Sequence, residues 1–237
     1  MRENTREFVT INLALFTVLL LLAVFSLGGN GAVQVFTGNQ TAIYKVETTE
    51  PVIGLMVNVY WGTEYIEPYL ELFEQYHVKA TFFLGGIWAK DNPDLVTKIV
   101  EKGHELGNHG YNHKLPSKNS AETIYSEIEK TDAIISEITG NKSKVYAPPA
   151  GDFNESTLKS AAQLGYRTIM WSIDTIDWRD KDASKIKRRI IDNLQPGSFI
   201  LMHPTADTLT ALKTVLPECV EKGYRFETIS ELIERMQ

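Results

Sequence analysis

The 237-residue chain carries 24 Lys and Arg against 30 Asp and Glu, a net charge of −6, with no extended basic block. That balance excludes a nucleic-acid surface, which needs clustered cations, and the 43% apolar content excludes wholesale disorder. A lone cysteine, Cys219, excludes an internal disulfide framework, and its helix-like surroundings read as a buried, inert thiol.

The length fits one domain with an appendage. From Phe8 to Gly28 the sequence FVTINLALFTVLLLLAVFSLG holds no charge, and about 20 such residues span the hydrocarbon core of a bilayer as a helix. The stretch is long for a cleavable signal, and the GGNGA that follows is a poor cleavage site, so it reads as an uncleaved anchor. Arg2 and Arg6 favour a cytoplasmic stub, which puts everything after residue 30 outside the cell membrane. Residues 1–29 are thus expected as stub and anchor and residues 30–50, Gly- and Thr-rich without period, as a linker with room for one short strand. The domain proper is expected over residues 51–237.

From Pro51 onward, short apolar runs alternate with amphipathic ones. Strands are predicted at 52–59, 79–85, 105–109, 144–148, 166–172, 198–203 and 224–228. Helices are predicted at 64–76, 93–103, 120–139, 154–164, 183–193, 206–222 and 229–237. Asn119 with Glu122 resembles a capping box opening the third helix, and Gly140 closes it. Strand–helix alternation implies parallel strands joined by right-handed crossovers, which an open sheet and a barrel satisfy equally. In both, chemistry gathers where strands end.

Three of the five histidines stand at such ends. His109 and His113, in GNHGYNHKLP, are spaced as on a helix face, but Gly110 and the flanking asparagines argue for a loop, which can turn both imidazoles toward one ion. His203 follows the buried run SFILM, and Asp174 and Asp177 follow another strand in WSIDTIDW. A carboxylate beside an imidazole fixes its tautomer and prepares a general acid, although paired acids after a strand are also common caps. His77, in a helix-to-strand turn, and His104, at a helix end, read as surface residues.

Taken in order, these signals resemble the NodB-homology polysaccharide deacetylases, particularly their sporulation-type branch. IGLMVNVYWG resembles the first motif, GHELGNHGYNH the second, YAPPAGDFN the third, WSIDTIDW the fourth and ILMHPT the fifth, together covering residues 51–237. The resemblance implies a deformed (β/α)7 barrel and removal of N-acetyl groups from peptidoglycan-like or chitin-like polysaccharide. It also implies a divalent metal, zinc first, with cobalt, nickel or manganese as alternatives. It makes His109 and His113 metal ligands, His203 the general acid and Asp174 its tuning carboxylate. Trp178, Leu201, Pro148 and Pro149 would meet substrate.

Three departures stand out. Asn58 and Tyr60 lie at or near the places of the first motif's base and metal carboxylates, and Ala147 replaces the arginine that opens the third. Asn58 could still hold the ion weakly through its carbonyl oxygen, but an amide cannot accept a proton from water at neutral pH. Glu64 either approaches the ion or simply opens the next helix, where its charge suits the dipole. Two readings therefore compete: a metal-dependent deacetylase with a weakened site, and an inactive domain of the same ancestry that binds cell-wall glycan or a protein partner.

Overall fold

The computed structural model describes residues 41–235; the expected anchor at 8–28 lies outside the described residues. Among those described, no helix is long and apolar enough to cross a membrane.

Eight strands pair in parallel: β1 (Val52–Val59), β2 (Thr81–Leu84), β3 (Glu105–Asn108), β4 (Val145–Tyr146), β5 (Arg167–Thr168), β6 (Ile173–Asp174), β7 (Phe199–Met202) and β8 (Arg225–Phe226). Their order, β5-β4-β3-β2-β1-β7-β6 with β8 on the lower end of β1, is that of a curled half-barrel in which β1 pairs with three neighbours, β2, β7 and β8. All eight residues of β1 are buried, which explains a run that is apolar but for Asn58: a parallel strand covered on both faces has no polar alternation. Its alternate residues still sort by face. Val57 and Val59 pack outward with helix residues such as Tyr69 and Leu212, whereas Met56 packs inward with Phe83, Ala147 and Phe199. Asn58 and Tyr60 share the parity of Met56, so they follow it up the inner face.

The helices are α1 (Ile66–Gln75), α2 (Gly86–Asp91), α3 (Pro93–Glu101), α4 (Ala121–Thr139), α5 (Glu155–Gln163), α6 (Ala183–Ile191), α7 (Ala206–Glu221) and α8 (Ile229–Glu234). Gly140 closes α4 at φ 72°, as expected, but the helix opens one residue later than predicted: Ser120, not Asn119, accepts from the Thr123 amide. Cys219 is buried in α7, and burial pushes its thiol up to about 11, so it is inert as expected.

Three expectations are corrected. The predicted strand 166–172 shrinks to the two residues of β5, which pair with β4; β6, just beyond its predicted end, pairs instead with β7. The stretch expected as a linker reaches into the domain: Ile43 bridges Ile169 just past β5, Lys45 bridges Ser198 just before β7, and Val46 is buried. His104 is no surface residue. It is buried, its Nδ1 accepts from the Ala80 amide, and its ring meets Phe73 and Phe82 edge-on.

Candidate active site

Because the strands are parallel, their C-terminal ends share one rim, and the loops after β1, β3, β4, β6 and β7 carry the chemical residues. Among positive-φ residues other than glycine, His113, Ala150 and Ile176 all lie in these loops. Backbone strain of this kind persists only where surrounding contacts impose it.

One half of the site is fully built. His203 Nδ1 lies 2.7 Å from Asp177 Oδ1, and its backbone amide donates to Asp177 Oδ2 at 2.7 Å. Thr208 donates to the same oxygen at 2.6 Å, and Tyr69 donates to the His203 carbonyl at 2.8 Å. Burial alone would raise the Asp177 carboxyl; the hydrogen bond and charge of His203, with the Thr208 and amide bonds, outweigh it and hold the group below its ordinary value. An ionised carboxylate only accepts, so Nδ1 carries a proton and Nε2 is left for chemistry. The imidazole is 16% exposed, enough to be reached from the cleft.

The partner of His203 is therefore Asp177, not Asp174 as expected. Asp174 ends β6 beside Leu201, and its Oδ1 accepts from the Ile176 amide at 2.8 Å. That bond holds the strained turn, with Ile176 at φ 53°, which carries the chain forward to His203. Asp174 shapes the loop; Asp177 makes the contact.

The second half centres on the histidine pair. The His109 and His113 rings meet at 5.0 Å between centroids, as the loop reading expected. His109 Nδ1 is 2.7 Å from the Ala147 carbonyl, which can only accept, so Nδ1 is protonated and Nε2 holds the lone pair. Burial, with smaller contributions from His113 and His203, lowers His109 to about 3; burial and His203 lower His113 as well. Both are neutral at pH 7. Glu127 on α4 anchors their loop, accepting from the Asn112 amide at 2.5 Å and its side chain at 2.8 Å.

What surrounds this pair is less complete. The Tyr60 ring lies 5.0 Å from His113. Asn58 is buried, and its Oδ1 has no hydrogen-bond partner among the described residues. Ala147 is buried among inner apolar residues, so no cation stands there. Glu64 is exposed in a single 3-10 turn, Thr63–Tyr65, ahead of α1: the helix-opening role. Of the four residues expected to meet substrate, Leu201, Pro148 and Pro149 are buried, and Pro149 backs Gly110 beneath the histidine loop. Trp178 is exposed. Missed in the sequence was Trp61, whose ring stacks on His203 at 5.8 Å with an interplanar angle of 6°.

The model describing the family "Polysaccharide deacetylase" matches residues 45–169. The chain belongs to the polysaccharide deacetylase family. It is 39% identical to the uncharacterized protein YlxY of Bacillus subtilis over 81% of this chain and 60% of that one. It is 34% identical to a Bacillus cereus peptidoglycan-N-acetylglucosamine deacetylase over 72% and 64%, respectively. The chain thus spans under two thirds of the length of these two relatives. Among solved structures, the wild-type CE4 family pseudoenzyme of Bacillus anthracis superposes with a TM-score of 0.79 at 38% identity, covering 81% of this chain and 68% of that one. A mutant of it described as having restored enzymatic activity superposes at 0.78, with 36% identity over 81% and 71%. The fold is therefore that of the carbohydrate deacetylases, a family that includes both named peptidoglycan deacetylases and a pseudoenzyme.

The metal implied by the family can be tested against these donors. A catalytic zinc takes three protein ligands. Among the described residues no third His, Cys, Asp or Glu joins His109 and His113 in a group able to hold an ion. The unpartnered Asn58 oxygen is neutral, and so are both imidazoles, so nothing offsets the buried double charge. These residues do not fit a tightly held divalent ion.

Proposed function

We propose that this chain engages N-acetylated cell-wall glycan at the strand-end cleft with the acid half of a deacetylase retained and the base-and-metal half lost, so that hydrolysis runs far below that of an intact site. The observation that carries this is the contrast between His203, held by Asp177, Thr208 and Tyr69, and Asn58, whose buried oxygen pairs with nothing. His203 can deliver a proton from Nε2 to a departing amine. No carboxylate stands opposite it to take one from the attacking water, and burial weakens the two imidazoles there as bases; a general base contributes about 10²–10⁴ in rate. The expected anchor at 8–28 would set this cleft on the outer side of the cell membrane, where such glycan lies.

The test is acetate release from peptidoglycan and from N-acetylchitooligosaccharides by the full chain and by Asn58→Asp, each with zinc, cobalt, nickel or manganese supplied. The variant is expected to exceed the parent by about 10²-fold or more. Equal rates would sink this reading. The second reading, a weakened but working metal hydrolase, is favoured by the facing histidine pair. It requires near-stoichiometric metal in the purified full chain that disappears in His109→Ala/His113→Ala; absence of metal from the parent leaves the glycan-binding reading in place.

A further inference from the structure

Tyr60 and Trp61, side by side at the end of β1, each cover one imidazole: Tyr60 lies by His113 and Trp61 by His203. The Trp61 ring is nearly parallel to that of His203, yet 46% of the residue stays exposed. Two contacts fix the turn that presents it. Gly62 sits at φ +77° against the Pro204 carbonyl, where an added Cβ would approach to 2.1 Å. On the next residue, the buried Trp88 indole donates to Thr63 Oγ1 at 2.8 Å. A large apolar side chain, stacked on one face by His203, is thus presented to water from a fixed turn on the loop abutting the one that carries that histidine. Among the described residues, three of the five large apolar side chains left exposed, Trp61, Leu115 and Trp178, belong to loops at the strand-end rim. Exposed apolar surface concentrated at a cleft marks a binding site.

We infer that Trp61 is a sugar-stacking platform, taking the C–H face of an N-acetylated pyranose and setting its acetamido group beside His203. A flat indole suits a pyranose face, and a ring already stacked on His203 from a fixed turn has less freedom to lose on binding. The family's substrates are carbohydrates, and the platform rests on the glycan reading above, which it deepens by naming the residue that grips the sugar ring.

The experiment is calorimetric titration of the full chain with tetra-N-acetylchitotetraose, alongside Trp61→Ala and Trp61→Phe. The downfield imidazole proton between His203 and Asp177 is followed by NMR in each. Trp61→Ala is expected to weaken binding about tenfold, Trp61→Phe to recover most of it, and the His203 resonance to persist in both. Binding by Trp61→Ala equal to the parent's would overturn the platform and leave the glycan reading standing. Loss of binding together with the His203 resonance would also overturn it, making Trp61 a positioning residue for that histidine. No binding by the parent would overturn both.

Discussion

The Asp177 carboxylate accepts three hydrogen bonds, from the His203 amide, the His203 ring and Thr208, in a setting closed to water. Truncating it strands all three donors, so Asp177→Ala is expected to cost about 2–3 kcal/mol in urea unfolding. Asp174→Ala removes one hydrogen bond at a half-buried turn and is expected to cost about 1 kcal/mol or less. Similar costs for the two would contradict the pairing seen here. Because the folded-state value of Asp177 is depressed, its contribution is present above the unfolded value, near about 3.9, and is lost as pH falls through the folded one. The two aspartates are both plausible from sequence, lying three apart after one strand. Only the turn distinguishes them, since Asp174 is spent on holding Ile176 in its left-handed conformation. The other site residues were more legible. The His109–His113 spacing and the glycine between them already implied a loop that turns both rings one way, and the amide at 58 already implied a missing base.

At the scale of elements, long buried strands and amphipathic helices were readable because period and burial agree, as in β1 and α4. The β5–β6 region was not. Tyr166 to Asp174 reads as nearly continuous apolar and polar-tolerant strand, and nothing in its period marks where one hydrogen-bonded neighbour is exchanged for another. The segment at 43–46 was hidden for a related reason: its pairing is with Ile169 and Ser198, over 100 residues away, and local sequence carries no trace of that. Two glycines make these long-range joints testable. Gly62 and Gly197 both sit at φ +77°, and a Cβ would come within 2.1 Å of the Pro204 carbonyl in one case and 1.8 Å of the Val46 carbonyl in the other. Gly62→Ala and Gly197→Ala are each expected to cost at least about 2 kcal/mol, combining left-handed strain with a backbone clash. Gly140→Ala, at φ +72° with open space around it, bears the strain alone and is expected to cost about 1 kcal/mol. Thermal melts of the three variants separate the clash from the strain; equal shifts would mean the packed joints contribute nothing.

For the molecule as a whole, the buried histidines set how it meets acid. His104 lies beneath the sheet's N-terminal end and His109 at its C-terminal rim, so the two titrate independently. Burial, helped by Lys79 and Lys102, lowers His104 to about 4, and burial first lowers His109 to about 3. In the unfolded chain each takes a proton near about 6.5. The unfolded state thus binds more protons below that value, so stability is full above it and falls with pH until the folded values are reached. Two such groups give a slope approaching about 2.7 kcal/mol per pH unit in the middle of that window, and His113, lowered in the same direction, steepens it. Glu105 opposes them: burial raises its carboxyl, so the folded state takes that proton first and regains some stability at the acid end. Urea unfolding at stepwise pH from 7 to about 4.5 is expected to show this decline. His104→Gln and His109→Gln are each expected to remove roughly one proton's worth of slope, about 1.4 kcal/mol per unit, whatever they do to stability at pH 7. If His109→Gln leaves the slope intact, the histidine at the rim is already reached by water and protons in the folded state. The closed, neutral pair that separates this site from one built around a buried cation would then be lost with it.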